Sequence, residues 1–242
     1  LLKKPRMTIT EMSEVASLLS IDPIKALLLP CTLPDSDLTA SADSSRGEAA
    51  VLFLLQIAEA SSHRPAVQIA TLGALQNVLL ECESNQTAAG ECTARRLLNL
   101  AASVRSQPAS LAEVLRALHS LVLRHNANKI AAGPESVQLL VQILNKMFIV
   151  DNAAVLPAAL DLLYALMVNC PANQSAAGGE CILCILQLVE ALGDSDSKEN
   201  VCIQTAAMYA LQAIATDHFE NKSAISSSQI DLVFRFSLQG HF

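Results

Sequence analysis

The chain has 242 residues, of which 52% are hydrophobic and only 16% charged, a balance that supports a substantial core and excludes disorder over most of its length. Aromatic residues are scarce (Phe 6, Tyr 2, Trp 0), so the apolar content is mainly Leu, Ala, Val and Ile, which suits closely packed helices better than strands. The formal net charge of −7 disfavours a broad nucleic-acid surface, which needs clustered Lys and Arg.

The first residues, LLKKPRMTITEM, do not form a charged region followed by an apolar secretory core. Leu1 rather than Met comes first, so the chain reads as an excised or processed piece, with Met7 as a candidate native start. Thr8–Leu29 reads as one or two short helices. Pro30–Arg46 is dense in Pro, Asp, Ser and Thr and is expected to be a loop. Residues 1–46 are therefore set apart as a divergent N-terminal helical cap and Ser/Asp-rich loop. Ala49–Ala60 and Ala66–Glu83 then read as a medium and a long helix.

From here one phrase recurs: NQTAAG at Asn85–Gly90, NKIAAG at Asn128–Gly133, NQSAAG at Asn173–Gly178 and NKSAIS at Asn221–Ser226. The spacings between the asparagines are 43, 45 and 48 residues. A long amphipathic stretch precedes each phrase and a shorter one follows most of them. Around the second phrase, Leu111, Val114, Leu115, Leu118, Leu121 and Val122 recur at helical steps, and Val137, Leu140, Val141, Leu144 and Met147 form a second stripe. Asp151–Val168 carries the next long helix through Leu156, Leu160, Leu163, Leu166 and Met167, with Pro157 near its start. Asn is expected to cap a helix or hold a strained turn, and the glycines to break a short helix. Each unit of short, medium and long helix leaves an apolar face that the next one covers, so the expected fold is all-α, a stack of such units. Gly193–Asn200 (GDSDSKEN) is expected to be an exposed acidic loop, and Phe234–Phe242 (FRFSLQGHF) a cap or a contact.

The closest matches to a known pattern are NKIAAGPESVQLLVQIL at Asn128–Leu144 and NQSAAGGECILCILQLV at Asn173–Val189. In these the chain resembles the armadillo repeat family, with the two-helix HEAT repeats as structural runner-up. The resemblance covers about Gly47 to Phe242. It implies about four armadillo-like repeats over 47–242 and a right-handed α-α superhelix with a concave groove lined by the long helices. The family's nuclear import receptors bind basic peptides through a ladder of Asn and Trp. The Asn positions of that ladder fall here on Asn77, Ser120, Ala165 and Ala213, and the Trp positions on Gly73, Arg116, Asp161 and Tyr209. Only Asn77 matches, so an import-type peptide receptor is disfavoured. The residues expected to face the groove are Asn77, Arg116, His119, Ser120, Asp161, Tyr164 and Tyr209. Tyr combines buried area with a hydrogen-bonding end and suits an interface.

No residue pattern points to catalysis. GxSxG, a P-loop and HExxH are all missing, and no cofactor is expected. Cys181 and Cys184 have the spacing of a zinc or redox half-site, but they sit in an aliphatic helical run without further ligands, so no metal is expected. The seven cysteines read as free thiols of a reducing, cytoplasmic compartment. Three phrases (Asn85-Gln-Thr, Asn173-Gln-Ser, Asn221-Lys-Ser) fit the glycosylation acceptor pattern, which the recurrence already explains. No membrane span is expected. The function that follows is a non-catalytic scaffold or adaptor holding an extended or helical segment of a protein partner. The alternatives are a structural subunit of a cytoskeletal, ciliary or trafficking assembly, and a regulatory domain of a larger protein.

Overall fold

A computed structural model describes residues 40–80, 82–147, 154–193 and 197–225. The described residues are helical throughout, joined by short turns. In chain order they form α1 (Ala40–Ala60), α2 (Pro65–Leu79), α3 (Glu83–Ser103), α4 (Pro108–Val122), α5 (Asn126–Met147), α6 (Val155–Met167), α7 (Pro171–Leu192), α8 (Lys198–Ala215) and α9 (Phe219–Ala224). The helices lie in two rows. Helices α2, α4, α6 and α8 each contact the next in that order. Helices α1, α3, α5, α7 and α9 form the second row in the same manner, and α3–α4, α5–α6 and α7–α8 tie the rows together.

The aliphatic stripes read from sequence are the core. Leu111, Leu115, Leu118, Leu121, Leu140, Leu144 and Leu160 are fully buried in one continuous cluster that runs from Val51 to Ile214. Each such leucine contributes roughly 1.5–3 kcal/mol on leaving water. Pro65, Pro108 and Pro171 open α2, α4 and α7, and Pro157 lies in the first turn of α6, where a missing N–H costs no helical bond.

The recurring phrase does different work from that expected. The chain breaks before it, not at its asparagine. Each even-numbered helix ends on an extended residue (Leu80, Leu123, Val168, Thr216), followed in three cases by a left-handed one: Arg124 (φ 60°), Asn169 (φ 57°) or Asp217 (φ 56°). Cys82, Cys170 and His218 then occupy the N-cap, and His125 stands in the same place before α5. His125 and His218 act as caps through Nδ1, which accepts the main-chain N–H of Asn128 (3.2 Å) and Asn221 (3.3 Å). Their Nε2 atoms meet the hydroxyls of Thr87 (3.0 Å) and Ser175 (2.9 Å) in the preceding odd-numbered helix.

The phrase asparagines therefore lie inside helices, with side chains buried between neighbours. The amide of Asn128 donates to Leu121 O (3.1 Å) on α4 and to Gln86 O (2.8 Å) on α3. Asn173 donates to Leu166 O (3.0 Å) and Lys129 O (3.1 Å), and Asn221 to Ile214 O (3.0 Å) and Gln174 O (2.8 Å). Asn85 makes the first of these contacts, to Val78 O (2.8 Å). In the first three phrases the next residue reaches the other way. Gln86 donates to Ser120 O and Leu123 O, Lys129 to Val168 O (2.8 Å), and Gln174 to Ala213 O and Thr216 O. The Asn128-Lys129 and Asn173-Gln174 pairs thus tie their own segments to the one before and the one after. The acceptors are main-chain carbonyls at helix ends, which need partners once buried.

The phrase glycines behave as anticipated. Gly90, Gly133 and Gly178 kink α3, α5 and α7 at positive φ with ψ between −140° and −166°, a conformation close to one only glycine adopts readily. Pro134 follows the kink of α5 directly, at the first position of its second part.

Three boundaries differ from expectation, the first being that α2 ends at Leu79 and Glu83, expected within it, opens α3. Helix α1 starts at Ala40, so the backbone of 40–46 is helical where a loop was expected. Near its middle, Gly47 approaches Asn85 so closely that a Cβ there would fall 1.9 Å from Asn85 Oδ1. Ser197 caps α8 by accepting Asn200 N–H (3.1 Å), so Lys198–Asn200 form its first turn rather than the end of an acidic loop. The short helices expected over Thr8–Leu29, the thiol of Cys31 and the FRFSLQGHF segment lie outside the described residues.

Gly178→Ala meets no atom within 4 Å, so its cost is the backbone alone, about 1–3 kcal/mol. The adjacent Gly179→Ala, where φ is not positive and the nearest atom is at 3.6 Å, is expected to be near neutral. Urea unfolding midpoints of the two variants measure the difference.

Lys129 gives a second expectation. Burial lowers its pKa from the usual 10.5. The folded protein then releases this proton before the unfolded chain does, so stability rises with pH from the lowered folded value towards 10.5. Lys129→Gln places there the residue that bonds carbonyls at positions 86 and 174. The variant is expected to be at least as stable at neutral pH, with its advantage shrinking towards pH 10 in paired thermal melts.

Candidate functional site

The even-numbered helices each leave one stripe uncovered. Along α4, every residue from Ser110 to Val122 is buried except Glu113, Arg116 and His119, which recur at helical spacing. Helix α6 leaves Pro157, Asp161 and Tyr164 open, α8 leaves Tyr209 and Gln212, and α2 leaves Gly73 and Asn77. These stripes exist because each helix is covered by its row neighbours and, from beneath, by the odd-numbered row. Side-chain contacts join them across helices. Gln76 Nε2 donates to Glu113 Oε2 (2.5 Å), Glu113 pairs with Arg116, and the rings of Tyr164 and Tyr209 meet edge-on with centroids 6.1 Å apart.

Most of the residues predicted for the groove come together here. Arg116, His119, Asp161, Tyr164 and Tyr209 share the strip, and Asn77 is exposed at its α2 end. Ser120 does not share it. It is 4% exposed, its hydroxyl donates to Arg116 O, and its carbonyl accepts Gln86. Position 120 falls one residue beyond the open stripe and belongs to the joint between segments. Glu113 was missed. Its signal was the i, i+3 spacing to Arg116 on the uncovered side of α4.

Charge in the middle of the strip is finely set. Burial pushes His119 below its usual pKa of 6.5, opposed by the nearby Asp161 carboxylate. Asp161 is exposed as a residue, yet partial desolvation by the surrounding helices raises its pKa, against the pull of His119 and Arg116. The two effects on stability have opposite signs. The contribution of His119 is lost as pH falls through 6.5, because the unfolded chain protonates first. The raised Asp161 favours the folded state as pH falls through its folded value. Next to the tyrosines, a cleft of about 340 Å³ opens where α6 and α8 end, lined by Tyr164, Asn169, Gln212 and Asp217 among others.

The remaining chemistry is structural. Cys181 and Cys184 are buried thiols pushed up to about 12 and about 11, chiefly by desolvation, so burial favours their protonated form near neutral pH. Among the described residues no group of three or more His, Cys, Asp or Glu is placed to hold a metal ion. The side-chain nitrogens of Asn85, Asn173 and Asn221 are engaged by main-chain carbonyls, which closes these acceptor sequences to a glycan in the folded protein. Helix α7 is long and apolar enough to cross a membrane by composition, but its apolar side forms part of the core shared with α5 and α8.

Asp161→Asn removes the charge that raises the pKa of His119. The His119 titration midpoint, followed by NMR through its ring protons, is expected to fall further below 6.5 in that variant.

No known family model, no curated protein and no solved structure matches the chain.

Proposed function

We propose that this chain is an armadillo-like α-solenoid that binds a segment of another protein along the strip formed by α2, α4, α6 and α8. The observation that carries the reading is the exposed Tyr164–Tyr209 pair in line with Asp161, Arg116 and Glu113. Tyrosines at 40% and 43% exposure on neighbouring helices are costly to leave in water, and they give a partner a rigid apolar anchor. The polar residues beside them offer donors and acceptors for an extended or helical segment. The recurring Asn-Gln and Asn-Lys joints, the two helix rows and the single-sided strip support the solenoid reading. Tyr209 occupies a position that carries Trp in the import receptors, but Ser120, Ala165 and Ala213 cannot supply the accompanying amides, so an import-type ligand is not proposed. The reading is of a non-catalytic scaffold or adaptor, and the free thiols fit a reducing cytoplasmic setting.

A photo-cross-linking residue at Asn77 or Gln212 is expected to trap one protein partner, and the same residue at Gln187 on α7 is not. With that partner purified, Tyr164→Ala combined with Tyr209→Ala should weaken binding by about tenfold or more at unchanged helical content. Equal cross-linking from Gln187, or unaltered affinity in the double variant and in Arg116→Ala, would reject the strip.

A further inference from the structure

A second cavity lies away from the strip, where the turn between α3 and α4 meets the last turns of α5. It has a volume of about 280 Å³ and is lined by Arg105, Ser106, Leu111, Gln142, Ile143 and Lys146. Two of these residues are cations and none is an acid, in a protein whose net charge is −7. The Nε–H of Arg105 is buried and finds no acceptor among the described residues. A buried guanidinium N–H without an acceptor is costly, because water no longer solvates it and no protein oxygen replaces the water. Elsewhere in the structure the same donor is satisfied: Arg96 gives Nε (2.9 Å) and Nη2 (2.6 Å) to the two oxygens of Glu59. Among the described residues no acceptor meets Arg105 Nε in this way.

We infer that this cavity is an oxyanion-binding site, taking a phosphate or carboxylate group through Arg105 with Lys146 and Gln142. A guanidinium presents parallel N–H donors that match two oxygens of such a group, and the nearby ammonium adds charge without demanding geometry. Ser106 and Gln142 add neutral donors at the wall. Leu111 and Ile143 floor the cavity with apolar surface, which lowers the local dielectric and strengthens the ion pair. The site is independent of the proposed strip, and its test requires no protein partner.

The test is a titration of full-length protein carrying ¹⁵N-arginine, read at the Arg105 Nε–H resonance. The probes are inorganic phosphate, O-phosphoserine, acetate and N-acetyl-aspartate. A saturable shift of that resonance, weakened by added sodium chloride, is expected. Response to the two phosphates alone assigns a phosphate source, and response to the two carboxylates assigns an acidic side chain. Lys146→Gln, at an exposed position that leaves the fold intact, should weaken the saturating probe roughly fivefold. Arg105→Gln should abolish the response at the main-chain amides of Ser106 and Gln142. The inference is overturned if no probe gives a saturable shift, or if the affinity is the same in Lys146→Gln and wild type.

Discussion

The architecture hangs on a carboxamide that bonds main-chain oxygen. A helix ending inside a protein leaves carbonyls with no partner, and stacking helices in rows buries many such ends. Here the problem is met by one side chain per segment. The Nδ2 group of Asn128, Asn173 or Asn221 has two hydrogens, and each finds a carbonyl, one from the preceding even-numbered helix and one from the preceding odd-numbered helix. Lys129 and Gln174, and Gln86 before them, return the contact to the next segment. Each of these donors meets its carbonyl within hydrogen-bond distance, and each buried pair adds about 1 kcal/mol. The aliphatic core supplies the larger stabilisation, but it is non-directional. The amides decide the register in which the rows stack.

The joints are not equivalent. Gln86 and Gln174 are neutral and each satisfies two carbonyls, whereas Lys129 brings a buried charge to one. At the same joint Asn173 Oδ1 is buried without a partner. The left-handed residue also differs: Asn169 and Asp217 tolerate that conformation, whereas Arg124 gains nothing from its side chain there. The Arg124–Lys129 turn and its contact with α7 therefore combine a left-handed arginine, a buried ammonium and one unpartnered amide oxygen. The strip beside it brings Arg116 and His119 on one side to Asp161 on the other.

Much of this was legible in the residues. Helical periodicity located the core stripes of α4, α5 and α6, because aliphatic side chains at three- and four-residue steps have no other economical arrangement. The recurring phrase located the segment boundaries to within a turn. It did not reveal the direction of the asparagine side chain, since Asn serves both as a cap and as an internal donor. The true breakers were Leu123–Arg124–His125 and its counterparts, where Asn169, Pro171 and Asp217 carry turn propensity and Arg124 does not. Ser120 was misplaced because counting back from the phrase ignores which face α5 and α6 cover. The Ser/Asp-rich start of α1 looked like a loop by local propensity, yet the helix begins at Ala40, and further along it Gly47 fits against Asn85. Arg105 and Lys146 gave no sequence signal, being 41 residues apart and joined only by folding.

Every acceptor in these joints is a carbonyl of the main chain. A contact read by backbone alone places no demand on the identity of the residue that offers it. Ser120, Leu121, Leu123, Val168, Ala213 and Ile214 all serve, although their side chains share nothing. Substitution on the open stripes is thereby separated from assembly of the rows. Such a frame can exchange its recognition surface, helix by helix, without renegotiating how its segments hold one another.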